Sequence, residues 1–293
     1  MTNPYEADPD KIPPTDLYSD VPFYGRYLPK PDDFRIDSQH ANSQTAESLE
    51  YWASFVSLCT EENRIYPADE GGRDVFALGS VIVKSSHLHD PKGSCTEIDY
   101  SYADANEVQA IALARTVLNA ISVRVPEIYF AGKIHNRQVL VQERLPGVSL
   151  SVARPYLSRE ERDSFKEQAR AILKLLHTIK PREGFRARSH VVPDPNILSN
   201  GRLNPREAEI LFSGASDDAD RSFMHNDFTE SNCIVDQGKI VGLIDWEMAG
   251  FFGWRAAGEV HRWIRTPQRE HFVHAGLSEE QLEERMYWND LYD

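Results

Sequence analysis

No run in the 293 residues approaches the roughly 20 consecutive apolar residues that a membrane span requires, so a membrane is not an expected partner. The opening stretch MTNPYEADPDKIPP lacks the basic and apolar regions of a secretory leader. Cysteine is scarce: Cys59, Cys95 and Cys233 are far apart, odd in number and without metal-ligand spacing. They read as free thiols of a cytoplasmic protein, not as a disulfide framework or a zinc site. Positive charge is in deficit, with 32 Lys and Arg against 46 Asp and Glu and a net charge of −14, a poor match for nucleic-acid phosphates. No internal repeat is present, and no glycine loop of the G-x-G-x-x-G or G-x-x-x-x-G-K type. What is present is 41% hydrophobic and 27% charged residues, enough for a core. The length suits one large domain or two modest ones that share an interface.

Residues 1–45, rich in Pro, Asp and Ser, read as an extended and partly disordered arm. Strand, turn, strand is expected in RIYPADEGGRDVFALGSVIVKSS, with DEGG and LGS as the breaks, and then a polar loop. A helix follows in DANEVQAIALARTVLNAI, capped by Asp104 with Glu107 as capping-box partner, its face traced by Val108, Ile111, Ala112, Arg115 and Leu118. EIYFAGKI and RQVLVQERL read as strands joined at His135 and Asn136. From Ser158 the pattern turns helical, with a Ser158–Glu161 capping box and a face of Phe165, Ala169, Ile172, Leu173, Leu176 and Ile179. Residues 181–222 read as an irregular insertion with one short helix near NPREAEILF, and GEVHRWIRT and SEEQLEERMYWNDLY as later helices. Strands with one helix, then helices with one hairpin, define an α+β chain in two lobes. A β-rich N-lobe is expected over residues 46–146 and a mainly helical C-lobe over 147–293.

FMHNDFTESNCIVDQGKIVGLIDWEMAG, residues 223–250, concentrates the polar chemistry. CIV and IVGLI flank a DQGK turn, and a hairpin brings the residues at its two open ends together. Asn232 and Asp245 are therefore expected as neighbours. An amide oxygen beside a carboxylate suits a hard cation such as Mg²⁺. Asp227, five residues before Asn232 on the approaching loop, is placed as a catalytic base would be. Asp, Asn and Gly are also ordinary turn and cap residues, so the pentad alone decides little. His225 before it and the strand-end Asp245 after it sharpen the pattern.

HNDFTESN matches His-x-Asp-x-x-x-x-Asn, the catalytic loop of kinase-fold enzymes, and LIDWE stands where their second metal-binding Asp stands. With Asp-Trp-Glu in place of Asp-Phe-Gly, the chain resembles the aminoglycoside phosphotransferase and choline kinase group, particularly its many fungal proteins, over residues 50–265. The resemblance implies a bilobal protein-kinase-like fold and an ATP- and Mg²⁺-dependent transfer of the γ-phosphoryl group to a hydroxyl of a small molecule. It implies that Asp227 orients or deprotonates that hydroxyl, that Asn232 and Asp245 hold the metal, and that His225 buttresses the loop. Lys84 at the end of VIVK takes the place of the lysine on the nucleotide phosphates, and Glu107 that of its ion-pair partner. VQERL takes the place of the hinge, with backbone groups of Gln142, Glu143 and Arg144 on the adenine edge. The glycine loop departs from the pattern: DEGGRD offers Gly71 and Gly72 beside the acids Glu70 and Asp74.

Just beyond Asp245, the aromatics and acids Trp246, Glu247, Trp254 and Glu259 suit a cationic amino alcohol or amino sugar through cation–π and charge contacts. These aromatics also read as core. A choline- or ethanolamine-type kinase is the nearest enzymatic alternative. A non-catalytic nucleotide-binding scaffold that uses the N-terminal arm is the alternative of another class. A protein kinase fits less well: no Ala-Pro-Glu follows Asp245, and Thr229 stands where such enzymes carry a lysine. HLHD at residues 87–90 reads as solvated.

Overall fold

Period-two alternation positions everything in the smaller lobe. The computed structural model describes residues 3–66, 73–85, 99–183, 187–213 and 219–293. After a two-residue strand, β1 (Arg26–Tyr27), and a helix, α1 (Ala46–Val56), come β2 (Asp74–Leu78), β3 (Val81–Ser85), α2 (Ser101–Leu118), β4 (Ile128–Ile134) and β5 (Arg137–Glu143). The four longer strands form an antiparallel sheet in the order β2-β3-β5-β4. One face, with Val81, Val83, Val139 and Val141, is buried against Trp52 and Phe55 of α1. Successive side chains alternate across the sheet, so Ile82 and Lys84, opposite Gln142 and Leu140, share the other face. The β4–β5 hairpin turns at His135 and Asn136, both at positive φ, as a two-residue turn between twisted strands requires.

After β5 come β6 (Gly147–Ser149), α3 (Leu150–Ala153) and α4 (Arg159–Leu176). The Ser158–Glu161 capping box of α4 is formed, and Phe165, Ala169, Ile172, Leu173 and Leu176 are buried. There follow β7 (Ser189–His190), α5 (Pro205–Phe212), β8 (Phe223–Met224), β9 (Cys233–Asp236), β10 (Lys239–Leu243), β11 (Gly250–Phe251), α6 (Trp254–Val260) and α7 (Glu279–Arg285). A second antiparallel sheet runs β1-β6-β9-β10, and a small one runs β7-β11-β8. The fold is α+β and two-lobed. No helix among the described residues is long and apolar enough to cross a membrane.

Four local expectations differ. The described part of residues 1–45 is not a free arm: β1 pairs with β6, Tyr5, Tyr18 and Tyr24 pack against the large core, and Phe34 and Ile36 against the small one. Aromatic anchors in a Pro-rich stretch outweigh its polar composition. α1 was not anticipated, although Thr45 caps it by accepting from the Ser48 N–H (3.2 Å). α2 starts three residues before Asp104, with Tyr100 at its cap and no side-chain cap bond. Asp104 and Glu107 form no capping box because both are fully buried in ion pairs. The buried face of α2 consists of Ala103, Asp104, Asn106, Glu107, Ala110, Ile111, Ala114 and Leu118, so Ile111 and Leu118 of the expected face are buried while Ala112 is exposed. Finally, SEEQLEERMYWNDLY is helical only over α7, then turns.

Three buried histidines make stability pH-dependent. Burial pushes His190 down to about 3 and His225 and His261 down to about 4, against about 6.5 in an unfolded chain. Between those values the unfolded state binds more protons than the native one, so stability falls as pH is lowered from about 6.5 toward 4. The loss is about 1.4 kcal/mol per pH unit for each histidine that stays neutral. Urea midpoints measured at pH 7, 6 and 5 should therefore decline. His190→Phe, at a site packed against Phe252, should flatten that decline; an unchanged pH slope would contradict the assignment.

Candidate active site

The β9–β10 hairpin closes through Gln237 and Gly238, both at positive φ, and its open end aligns the two residues expected there. The Ile244 N–H donates to the Asn232 carbonyl (3.0 Å), so Asn232 and Asp245 sit on one rim. Asp245 has φ +64° and Asn226 φ +62°, a conformation that costs a non-glycine residue about 1–3 kcal/mol and collects at functional sites. Asn232 Nδ2 donates to the Asp227 carbonyl (2.9 Å) and to Asp227 Oδ2 (3.1 Å). This spends the amide nitrogen and leaves Oδ1 for a cation. His225 is fully buried: its Nε2 donates to the Ile244 carbonyl (3.0 Å) and its Nδ1 accepts from the Asp227 N–H (3.3 Å). Those two bonds define a neutral tautomer that ties the Asp227 loop to the strand before Asp245.

From the small lobe, Lys84 Nζ reaches Glu107 (2.8 and 2.9 Å) and Asp245 Oδ1 (2.8 Å). Burial alone would lower the lysine's pKa, but Asp245 and Glu107 outweigh it and hold the ammonium well above its ordinary range. Burial would likewise raise Asp245, and Lys84 reverses this. Glu247 joins the group: carboxylate oxygens of Glu107, Asp245 and Glu247 lie within 4.8 Å of one another. Arg73 bridges Asp104 (2.6 Å) and Glu247 (3.2 Å). Burial pushes the Asp227 carboxyl up to about 6, with Arg265 opposing. Arg265 comes from a π-helical turn, His261–Arg265, and its Nε lies 2.9 Å from Asp227 Oδ1 while its Nη2 meets Glu207 (2.5 Å).

Between the lobes lies a cavity of about 300 Å³. Val75 and Ile82 line it from one lobe, Ile234 and Ile244 from the other, and Lys84, Asn232 and Asp245 contribute its polar groups. Gln142 also lines it, with a buried Oε1 that has no hydrogen-bond partner among the described residues. Glu143 and Arg144 of the expected hinge line it as well. The N–H groups of Glu143 and Arg144 already donate to Glu127 (2.8 Å) and Ser80 (2.9 Å), so neither remains for a purine edge. The Glu143 side chain pairs with Arg124. The Arg144 side chain turns to the N-terminal segment, donating to the Arg26 carbonyl (2.8 Å).

The aromatic acceptor site is not assembled. Trp246 is fully buried, donates to the Leu243 carbonyl (3.1 Å) and stacks on Phe223. Trp254 donates to the Tyr292 carbonyl (2.9 Å) and packs on Tyr292 and His177. Glu259 is a half-buried partner of the exposed Arg255 one helical turn away. Of that set, Glu247 joins the charged cluster, and Trp246 packs behind it on His225. The core claims the tryptophans because burying so large a ring is the larger free-energy gain. DEGG and HLHD lie outside the described residues.

The sequence reasoning missed Arg265, Glu207, Arg73 and Asn106, whose amide binds the carbonyls of Glu247 and Ala249 (both 2.9 Å) and the Val192 N–H (2.9 Å). No spacing rule marks them; the only local signal was a polar Asn106 on the inward side of α2.

Two lobes around a cleft, with Lys–Glu from one and Asp…Asn and Asp from the other, define a kinase-type phosphotransferase architecture. The family model described as "Phosphotransferase enzyme family" matches residues 99–275, and the chain belongs to that family. The chain is similar to solved structures, among them the gentamicin complex of APH(2″)-IIa (14% identity, 85% of this chain and 82% of that one, TM-score 0.47). A putative fructosamine-3-kinase from Haemophilus somnus is also similar (16% identity, 78% and 81%, TM-score 0.41). Among curated proteins, none matches the chain.

Removing one partner from a buried ion-pair cluster leaves charge uncompensated, at a cost of about 3–5 kcal/mol. Lys84→Met should destabilise the protein by that order in urea unfolding, and adding Glu107→Met should restore much of the loss. Additive losses would show that Lys84 and Glu107 do not act as a pair.

Proposed function

We propose that the protein is an ATP- and Mg²⁺-dependent kinase that transfers the γ-phosphoryl group to a hydroxyl of a small molecule. The observation that carries this is one lysine, Lys84, joining Glu107 to Asp245 across the cleft, with Asn232 and Asp227 hydrogen-bonded on the same rim. The buried Gln142 oxygen at the cavity, without a hydrogen-bond partner among the described residues, supports a ligand with an N–H donor, as the amino group of adenine has. Intact Asp227, Asn232 and Asp245 favour an enzyme over a scaffold.

Asn232 Oδ1 and the Asp245 carboxylate would hold Mg²⁺, an amide and acid donor set suited to a hard cation. When bound, the ion neutralises charge on the phosphates. Lys84 gives up Asp245 and turns its ammonium to the nucleotide phosphates, with Glu107 keeping it oriented. Asp227 accepts the acceptor's hydroxyl proton as that oxygen attacks the γ-phosphorus. The bond to the bridging oxygen breaks and ADP leaves with its electron pair. His225 and Asn232 fix where Asp227 points. Catalysis in such a site is chiefly positioning and electrostatics. The acceptor is a small hydroxyl compound met at the Asp227–Arg265–Glu207 side of the rim, without a box made from Trp246 and Trp254. Use of ATP together with the buried free thiols Cys59 and Cys233 favours the cytoplasm.

Asp227→Asn should reduce turnover by about 10²–10⁴-fold, the range of a positioned base, with Mg-ATP affinity nearly unchanged. ADP release across amino alcohols and amino sugars, paired with calorimetric ATP binding, checks both. Loss of ATP binding in the variant would refute the assigned role, and a wild-type protein that binds no nucleoside triphosphate would refute the whole reading.

A further inference from the structure

Residues before position 99 lie outside the family match, yet one stretch of them builds the cleft. Phe23, Tyr24, Gly25, Arg26 and Tyr27 are consecutive, and all five line the cavity. The stretch is fastened at four points. Arg26 and Tyr27 pair in register with Val148 and Gly147 of β6. The Gly25 carbonyl accepts from the Ser149 N–H (2.7 Å). Gly25 itself has φ +60°, and a Cβ there would stand 2.1 Å from Ser149 Oγ. Arg26 pairs with Asp16 at 3.1 Å, neither side chain more than 1% exposed, and Asp16 also accepts from the Tyr156 hydroxyl (2.5 Å). Arg144 donates to the Arg26 carbonyl and places its guanidinium 4.6 Å from the Tyr27 ring centre.

Arg26 Nε and Nη1 are buried and have no hydrogen-bond partner among the described residues. The Arg26 guanidinium, with no exposed surface, is held in place by Asp16. The wall stands at the hinge end of the cleft, because its latch, Arg144, follows Glu143, which lies opposite Val81. Lys84 is three residues further along β3, about 10 Å away at the rise of an extended strand.

We propose that Phe23–Tyr27 is a wall of the nucleoside half of the nucleotide site, latched to the hinge by Arg144, and that it sets how tightly base and ribose are held. The inference rests on the nucleotide reading above. The wall presents aromatic surface to a flat base, and it stays clear of the transferred phosphoryl group. Removing it should weaken binding and leave the chemical step alone.

The test uses the full chain. Gly25→Val, which cannot keep the β1 geometry, should raise the Kd for a non-hydrolysable ATP analogue by about tenfold. It should raise KM for ATP in parallel, with kcat within about twofold. Phe23→Ala, a milder change at a half-buried side chain, should shift Kd in the same direction by a smaller factor and guards against a folding failure in the first variant. In the wild type, amide exchange over residues 23–27 should slow when the analogue binds. Unchanged Kd in a folded variant, a fall in kcat without a change in Kd, or exchange indifferent to the analogue would each overturn the proposal. If the wild type binds no analogue at all, the nucleotide reading fails, a result that does not depend on either variant.

Discussion

One ammonium group organises this molecule. Lys84 sits on a sheet face opposite the valine-rich core of the small lobe, and it compensates Glu107 from α2 and Asp245 from the far side of the cleft. Without it, carboxylates would crowd a poorly hydrated space where charge without a partner is expensive. Its place on β3 depends on the alternation that puts Val81 and Val83 against α1, so the apolar core and the charged site are two faces of the same strand. The lobes meet through it and through Arg73, which does the same for Asp104 and Glu247.

Glu107 and Asp104 show how a helix is drawn into this role. On α2, small residues allow close approach while Ile111, Ala114 and Leu118 enter the core of the large lobe. The acids and Asn106 face the cleft, and Asn106 clamps the chain just beyond Asp245. The helix therefore belongs to both lobes. Its inward face is only partly apolar, which is why a purely hydrophobic helical stripe places that face about one position off.

The N-terminal segment shows the same competition between local and distant preferences. Its Pro- and Asp-rich composition favours an extended, solvated chain, and that bias is real in isolation. Buried Arg26–Asp16, the aromatic anchors and a two-residue strand overcome it once β6 and the hinge are in place. The tryptophans after Asp245 moved the other way. They were plausible ligand groups in the sequence, and packing with Phe223 and Tyr292 claimed them.

Much of the site was legible because its spacing is short. Asp227, Asn232 and Asp245 are linked by a five-residue loop and one hairpin, and local turn geometry is enough to bring them together. The small-lobe strands and α4 were legible from alternation and capping for the same reason. Arg265, Glu207, Arg73 and the Phe23–Tyr27 wall are joined to that centre by tens to more than a hundred residues. Sequence pattern carries backbone periodicity and local hydrogen bonding; which distant charge answers a buried carboxylate, and which segment closes a cavity, was decided only by tertiary packing, where desolvation makes each buried group find a partner.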